Sequence, residues 1–154
     1  MAVRVSTADF DISAEMARLT ASDTAIGGVA LFVGKVRDHA NGEALAELTL
    51  EHYPGMTEAE LERIEAEAQR RFQVSASLIV HRVGTLKPGD NIVLVIACAS
   101  HRQNAFAAAE FLMDYLKTRA PFWKKEVLAS GEARWVDARE SDDMAAAAWE
   151  SAQG

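Results

Sequence analysis

Apolar and polar positions change period several times along the chain, and each change predicts an element. Val3 to Val5 reads as a short edge strand. Ser13 is positioned to cap a helix running to about Ala21. Gly27 to Arg37 (GGVALFVGKVR) is dense in β-branched and aromatic residues, which predicts a strand with an irregularity at Gly34. Asp38 to Gly42 reads as a polar loop, and the alternation from Leu45 to Tyr53 supplies a partner strand. Pro54-Gly55-Met56-Thr57 opens a helix, with Thr57 as N-cap and Glu60 completing a capping box. Leu61, Ile64, Ala68 and Phe72 form its apolar stripe, and its five glutamates are expected in solvent.

Ser77 to Val83 and Asn91 to Ala99 read as strands joined through the turn Lys87-Pro88-Gly89-Asp90. Ser100 is expected to cap a long helix from His101 to about Arg119, which Pro121 stops. Trp123 to Leu128 and Ala133 to Val136 predict a hairpin around Ser130-Gly131-Glu132, and the Ala-rich tail from Ser141 a final helical turn or two. The order implies an α+β domain with largely antiparallel sheets. With neither an internal repeat nor a linker, one domain is expected over residues 1–154.

Composition narrows the functional classes. At 154 residues and 49% hydrophobic content there is enough apolar material for a core. The net charge of −7 argues against a general binder of nucleic-acid backbones. The longest uncharged apolar run, Ile92 to Ser100, is too short to span a bilayer, and no secretory signal pattern opens the chain. The expectation is a cytoplasmic protein. Cys98 is the single cysteine and lies within an apolar strand, so it reads as an inert buried thiol. His39, His52, His81 and His101 lack the spacing of a metal motif, so no metal is expected.

Charge is unevenly placed. Between 101 and 125, Arg102, Lys117, Arg119, Lys124 and Lys125 face Glu110 and Asp114, a local +3 that leaves −10 for the rest. Such a patch on an acidic protein suits a small anion. Lys117 and Lys124 straddle a helix end and the next strand, so a tight turn can bring them together. Two ammonium groups held close each disfavour the other's charge, which suits acid, base or nucleophilic work; a pair of ordinary surface lysines is the plain alternative. Lys125 alternates to the opposite strand face and Glu126 returns to that of Lys124. Lys35-Val36-Arg37-Asp38-His39 ends a strand with cations, where Arg37 offers a bidentate phosphate clamp or an edge charge that resists aggregation. Arg102 and Lys117 share a helix face but stand about 22 Å apart. One small ligand could meet both only across a homodimer, with His101 and Arg102 from one subunit and Lys117 from the other.

Several motifs in order carry a resemblance: Gly34-Lys35-Val36-Arg37, Leu50-Glu51-His52-Tyr53-Pro54-Gly55-Met56, His81-Arg82-Val83-Gly84-Thr85-Leu86-Lys87-Pro88-Gly89-Asp90, Ser100-His101-Arg102, Lys117-Thr118-Arg119-Ala120-Pro121-Phe122-Trp123-Lys124 and Trp135-Val136-Asp137-Ala138-Arg139-Glu140. Together, from about Gly27 to Ser141, they resemble the catalytic (large) subunit of molybdopterin synthase, the MoaE family. The resemblance implies an α/β hammerhead-type fold and a homodimer at the centre of a heterotetramer. It also implies a small ubiquitin-like sulfur-carrier partner with a Gly-Gly C-terminus. That partner's thiocarboxylate would supply two sulfurs to cyclic pyranopterin monophosphate, forming the molybdopterin dithiolene without a resident cofactor. Motif by motif, Lys117 and Lys124 would be catalytic. Lys35, Val36, Arg37, His101, Arg102, Lys124, Lys125 and Glu126 would line the substrate pocket together with Lys117, and Arg139 would approach it. Phe32, Phe106 and Met113 would line the channel for the Gly-Gly tail, with core packing as their plain reading. Two rivals stand beside this: a binding module for a ubiquitin-like protein that has lost its chemistry, and a phosphate-handling enzyme with another substrate.

Overall fold

The computed structural model describes residues 2–136 and 140–151, excluding the side chains of 140–143. Elements run β1 (Ala2–Ser6), α1 (Ile12–Thr20), β2 (Gly28–Lys35), β3 (His39–Ala40), β4 (Glu43–His52), α2 (Met56–Phe72), β5 (Ala76–Arg82), β6 (Gly84–Leu86), β7 (Asn91–Ala99), α3 (Arg102–Thr118), β8 (Phe122–Leu128), β9 (Ala133–Val136) and α4 (Glu140–Ser151). The architecture is α+β. One sheet has the order β1-β5-β7-β2, with β1 parallel to β5 and the other pairings antiparallel. The second has the order β3-β4-β8-β9, and β6 also pairs with β4.

The apolar run of β7 is explained by burial on both faces. Val93 and Val95 join Ile79, Leu61, Ile64, Phe111 and Leu112 beneath α2 and α3. Leu94, Ile96 and Cys98 meet Phe10, Leu78 and Val80 on the other side, where Ile12 and Leu19 cover them. Small residues set the approach of α3: Ala105, Ala108 and Ala109 lie on Ala30, Ala97 and Ala99. At Gly27 a Cβ would stand 1.9 Å from the Ser100 carbonyl oxygen, so only glycine admits this crossing at the start of α3. Gly34 breaks the β2–β7 register, as its irregular reading requires, and a Cβ there would stand 2.7 Å from Val93.

Several local expectations are corrected. Asp11, not Ser13, caps α1, its side chain accepting from Ala14 N–H. The α2 helix begins at Gly55, whose N–H donates to Glu58 at 3.4 Å, while Glu60 instead pairs with Arg63. Thr57 lies inside the first turn, where its hydroxyl donates to the distant Pro121 carbonyl and accepts from the nearby Tyr53 N–H. His101, without a side-chain cap bond, takes the N-cap position of α3 in place of Ser100. The loop at 38–42 contains β3, which pairs with β4 through an Asn41-Gly42 turn at φ 52° and 81°. Of the five α2 glutamates, Glu65 is buried and accepts from Ser77 Oγ at 2.6 Å; burial raises its carboxyl above the ordinary range. Among the described residues no helix is long and apolar enough to cross a membrane.

Candidate active site

The chain between the two predicted catalytic lysines is short and sharply turned. Lys117 is exposed in the last turn of α3, and Lys124 is half-buried in β8. The Arg119 N–H closes α3 on the Tyr115 carbonyl, and the Phe122 N–H donates to the Ala120 carbonyl at 2.9 Å. A three-residue turn centred on Pro121 therefore carries the chain from helix to strand.

Behind this turn lies His81 of β5, 4% exposed. Its ring stacks on Phe122 with centroids 3.8 Å apart and planes at 18°. Nδ1 lies 2.8 Å from the Arg82 carbonyl oxygen, which can only accept, so Nδ1 carries the proton. Burial pushes the imidazole down to about 4; the Arg82 bond opposes this in part, and Lys124, Lys117 and His52 lower it further. The lysines are thus brought within electrostatic reach of one buried ring inside a single subunit. His52, opposite Phe122 in the β4–β8 ladder, has Nε2 3.8 Å from Glu58 Oε1, an oxygen that is itself buried without a hydrogen-bond partner.

The other predicted residues divide by position. His81 and Gly34 both pair with Val93, which places the end of β2 about 10 Å from His81 across the sheet. There Lys35 Nζ donates to Asn91 Oδ1 at 2.8 Å, and Asn91 in turn donates to Asp9. Arg37 is exposed. Val36 presents no side chain to a pocket: it is buried with Leu45, Leu48, Leu86 and Leu128, and its backbone bonds to Asp90 and Gly89. It anchors the strand end that carries Lys35 and Arg37.

Glu126 Oε1 accepts from Arg134 Nε at 3.0 Å, and Arg134 also pairs with Glu43. Glu126 therefore braces β8 against β9. Lys125, paired with Thr49 and Trp135, lies on the opposite face from Lys124. His101 and Arg102 are exposed at the far end of α3, about 22 Å from Lys117. They do not converge on the lysines within one subunit. Arg139 lies outside the described residues.

Phe32, Phe106 and Met113 line one groove between β2 and α3, of about 630 Å³, together with Val29, Leu31, Glu110 and Asp114. Phe106 is 66% and Phe32 45% exposed, so packing in the core does not account for them. Cys98 is buried, and burial raises its thiol above the ordinary range, which disfavours a nucleophilic thiolate.

Sequence reasoning missed Thr57 and His81. Thr57 resembled a cap, although its hydroxyl donates to the Pro121 carbonyl at 3.0 Å and accepts from Tyr53 N–H at 2.9 Å. The available signal for His81 was a lone imidazole in a strand otherwise buried on both faces.

The family model described as "MoaE protein" matches residues 5–119. A molybdopterin synthase catalytic subunit of Ralstonia nicotianae is 54% identical over 147 residues, covering 96% of this chain and 83% of that protein. Among solved structures, the molybdopterin biosynthesis MoaE protein from Burkholderia ambifaria is 56% identical with a TM-score of 0.83, covering 97% of this chain and 99% of the other. The molybdopterin synthase from Staphylococcus aureus is 27% identical with a TM-score of 0.80, covering 87% and 96%.

Proposed function

The chain belongs to the MoaE family, and from that premise we propose that it is the catalytic subunit of molybdopterin synthase, a sulfurtransferase of molybdenum cofactor biosynthesis. It takes sulfur from the C-terminal thiocarboxylate of a small ubiquitin-like carrier. Two sulfurs pass to cyclic pyranopterin monophosphate and become the dithiolene.

The observation that supports this reading is the three-residue turn at Pro121, which sets Lys117 and Lys124 on either side of one bend whose Phe122 stacks on the buried His81 ring. A phosphorylated pterin and a thiocarboxylate are both anions, and fixed cations lower the cost of bringing them together and of charge that develops as acyl–sulfur bonds break. Lys117 is assigned to acyl–sulfur cleavage and proton transfer. Lys124 holds phosphate or polarises the reacting carbon. Lys35 and Arg37 supply further anion contacts, and the groove lined by Phe32, Phe106 and Met113 admits the Gly-Gly tail, whose glycines need little width.

The distance from Arg102 to Lys117 supports a pocket completed across a homodimer, within a heterotetramer that includes two carriers. Since the sulfur arrives on the partner, the reaction needs no resident cofactor. Residues 1–154 act as one domain, in the cytoplasm where a diffusible carrier and a small phosphorylated substrate are at hand.

The test is reconstitution of this chain with a thiocarboxylated carrier and cyclic pyranopterin monophosphate, read as molybdopterin formed. Product with wild type and none with Lys117→Ala is expected. Complex formation without product would instead favour a binding module.

A further inference from the structure

Two contacts on the turn between the lysines come from elsewhere in the fold. On one side, the Thr57 hydroxyl of α2 donates to the Pro121 carbonyl at 3.0 Å and accepts from Tyr53 N–H at 2.9 Å. On the other, the His81 ring lies flat against Phe122 at 3.8 Å, while its Nδ1–H is tied to the β5 backbone at Arg82. Thr57 is 0% and His81 4% exposed, and both project from elements whose apolar faces form the central core. Pro121 and Phe122 are thus gripped from two rigid supports, one residue each.

We propose that Thr57 and His81 are positioning residues that clamp the Pro121–Phe122 turn and so fix Lys117 and Lys124 relative to one another for the transfer step. The proposal rests on the sulfur-transfer reading above.

Three features favour a positioning role over mere packing. Threonine is spent where valine would fill the same volume, and its hydroxyl serves two backbone groups, one before α2 and one in the turn before β8. The Tyr53 contact is local to the start of α2, but the Pro121 carbonyl lies 64 residues away, so that bond is tertiary. The imidazole, unlike a phenyl ring, has its orientation pinned by a hydrogen bond as well as by the stack. It also stays neutral near neutral pH while facing Lys124, Lys117 and His52, so it adds no further cation to the site. Neither residue touches the reactants; each acts through the turn.

The experiment compares Thr57→Val, Thr57→Ser and His81→Phe with wild type in the reconstituted reaction, with urea unfolding and carrier binding measured on the same samples. Thr57→Val should lower kcat about 10- to 100-fold, the scale of a reacting group displaced by roughly 1 Å. KM for the pterin and affinity for the carrier should stay within about twofold, since Lys35, Arg37 and the β2–α3 groove are untouched and a small shift of the lysines is felt mainly in the transition state. Thr57→Ser, which restores the hydroxyl, should recover most of kcat. His81→Phe, which keeps an aromatic stack, should lower kcat without raising KM. If Thr57→Val does not fold, His81→Phe is judged by the same split. A wild-type kcat in either folded variant overturns the clamp, as does a loss that Thr57→Ser shares. Absence of product from wild type instead overturns the sulfur-transfer reading, and the clamp's role falls with it.

Discussion

Trp149 donates its indole N–H to Asp114 Oδ2 at 2.7 Å, tying α4 to the helix that carries Lys117. The same indole packs edge-on against Phe72 and Phe111 at 5.5 and 5.6 Å, with the Arg71 guanidinium over all three rings. Asp114 also borders the β2–α3 groove, so the last helix braces one wall of that groove.

Replacing Trp149 with Phe keeps an aromatic ring but removes the donor to a carboxylate. A loss of about 1.5–3 kcal/mol is expected in urea unfolding, the range for a hydrogen bond to a charged group. Turnover should change little, because the indole packs on Phe72, Phe111 and Arg71. A large loss of turnover at unchanged stability would give α4 a closer part in the chemistry.

Lys117→Ala and Lys124→Ala should each reduce turnover by at least about 100-fold, as expected when a fixed charge is withdrawn from a developing anion. Lys117 is exposed, so its removal should leave the urea midpoint within about 0.5 kcal/mol of wild type. Unfolding of the Lys117 variant would show that the ammonium is structural.

Arg37→Ala should act on binding. The side chain is exposed at the end of β2, where a guanidinium can meet phosphate without bracing the core. KM for the pterin should rise roughly tenfold with kcat near wild type, the signature of a uniform binding contact. The wild-type KM should also rise with salt, and less steeply in the variant. An unchanged KM would remove Arg37 from the pocket.

His81 makes a pH-dependent contribution to stability. In the fold its imidazole takes up a proton only at about 4, against 6.5 for the ordinary group. The unfolded chain therefore binds more protons between those values, and stability rises with pH there. The contribution is complete above about 6.5 and is lost as pH falls towards 4, a total on the order of 3 kcal/mol. Glu65, held above its usual range by burial, works in the opposite sense, but it is common to wild type and variant. Unfolding of wild type and His81→Phe between about pH 7 and about pH 4.5 should show wild type losing ground to the variant on acidification. A constant difference would mean that His81 titrates normally in the fold.

The site was half legible in the chain. Lys117 and Lys124 announce themselves because a helix ended by Pro121 can turn back within a few residues, and the structure has that turn. Phe32, Phe106 and Met113 were readable as either core or channel; exposure along a shared groove decides for the two phenylalanines, while half-buried Met113 lines that groove and also packs on the central core. Val36 shows the reverse: its neighbours Lys35 and Arg37 are chemical, but strand alternation turns its own side chain into the core of the second sheet.

By itself the sequence determined the elements and their class. Period-2 alternation, the 3.6-residue stripe of Leu61, Ile64 and Ala68, and the Gly–Pro punctuation are local properties that each segment carries alone. Helix caps were less certain, because Ser100 and Thr57 have the right chemistry for capping and the fold used other residues. What only the tertiary structure decided is what holds the lysines in place. Thr57 and Pro121 are 64 residues apart, and the His81–Phe122 stack joins strands of different sheets. No local pattern encodes such pairs, since they exist only after the core of α2, β5 and α3 has packed and brought separate segments into contact.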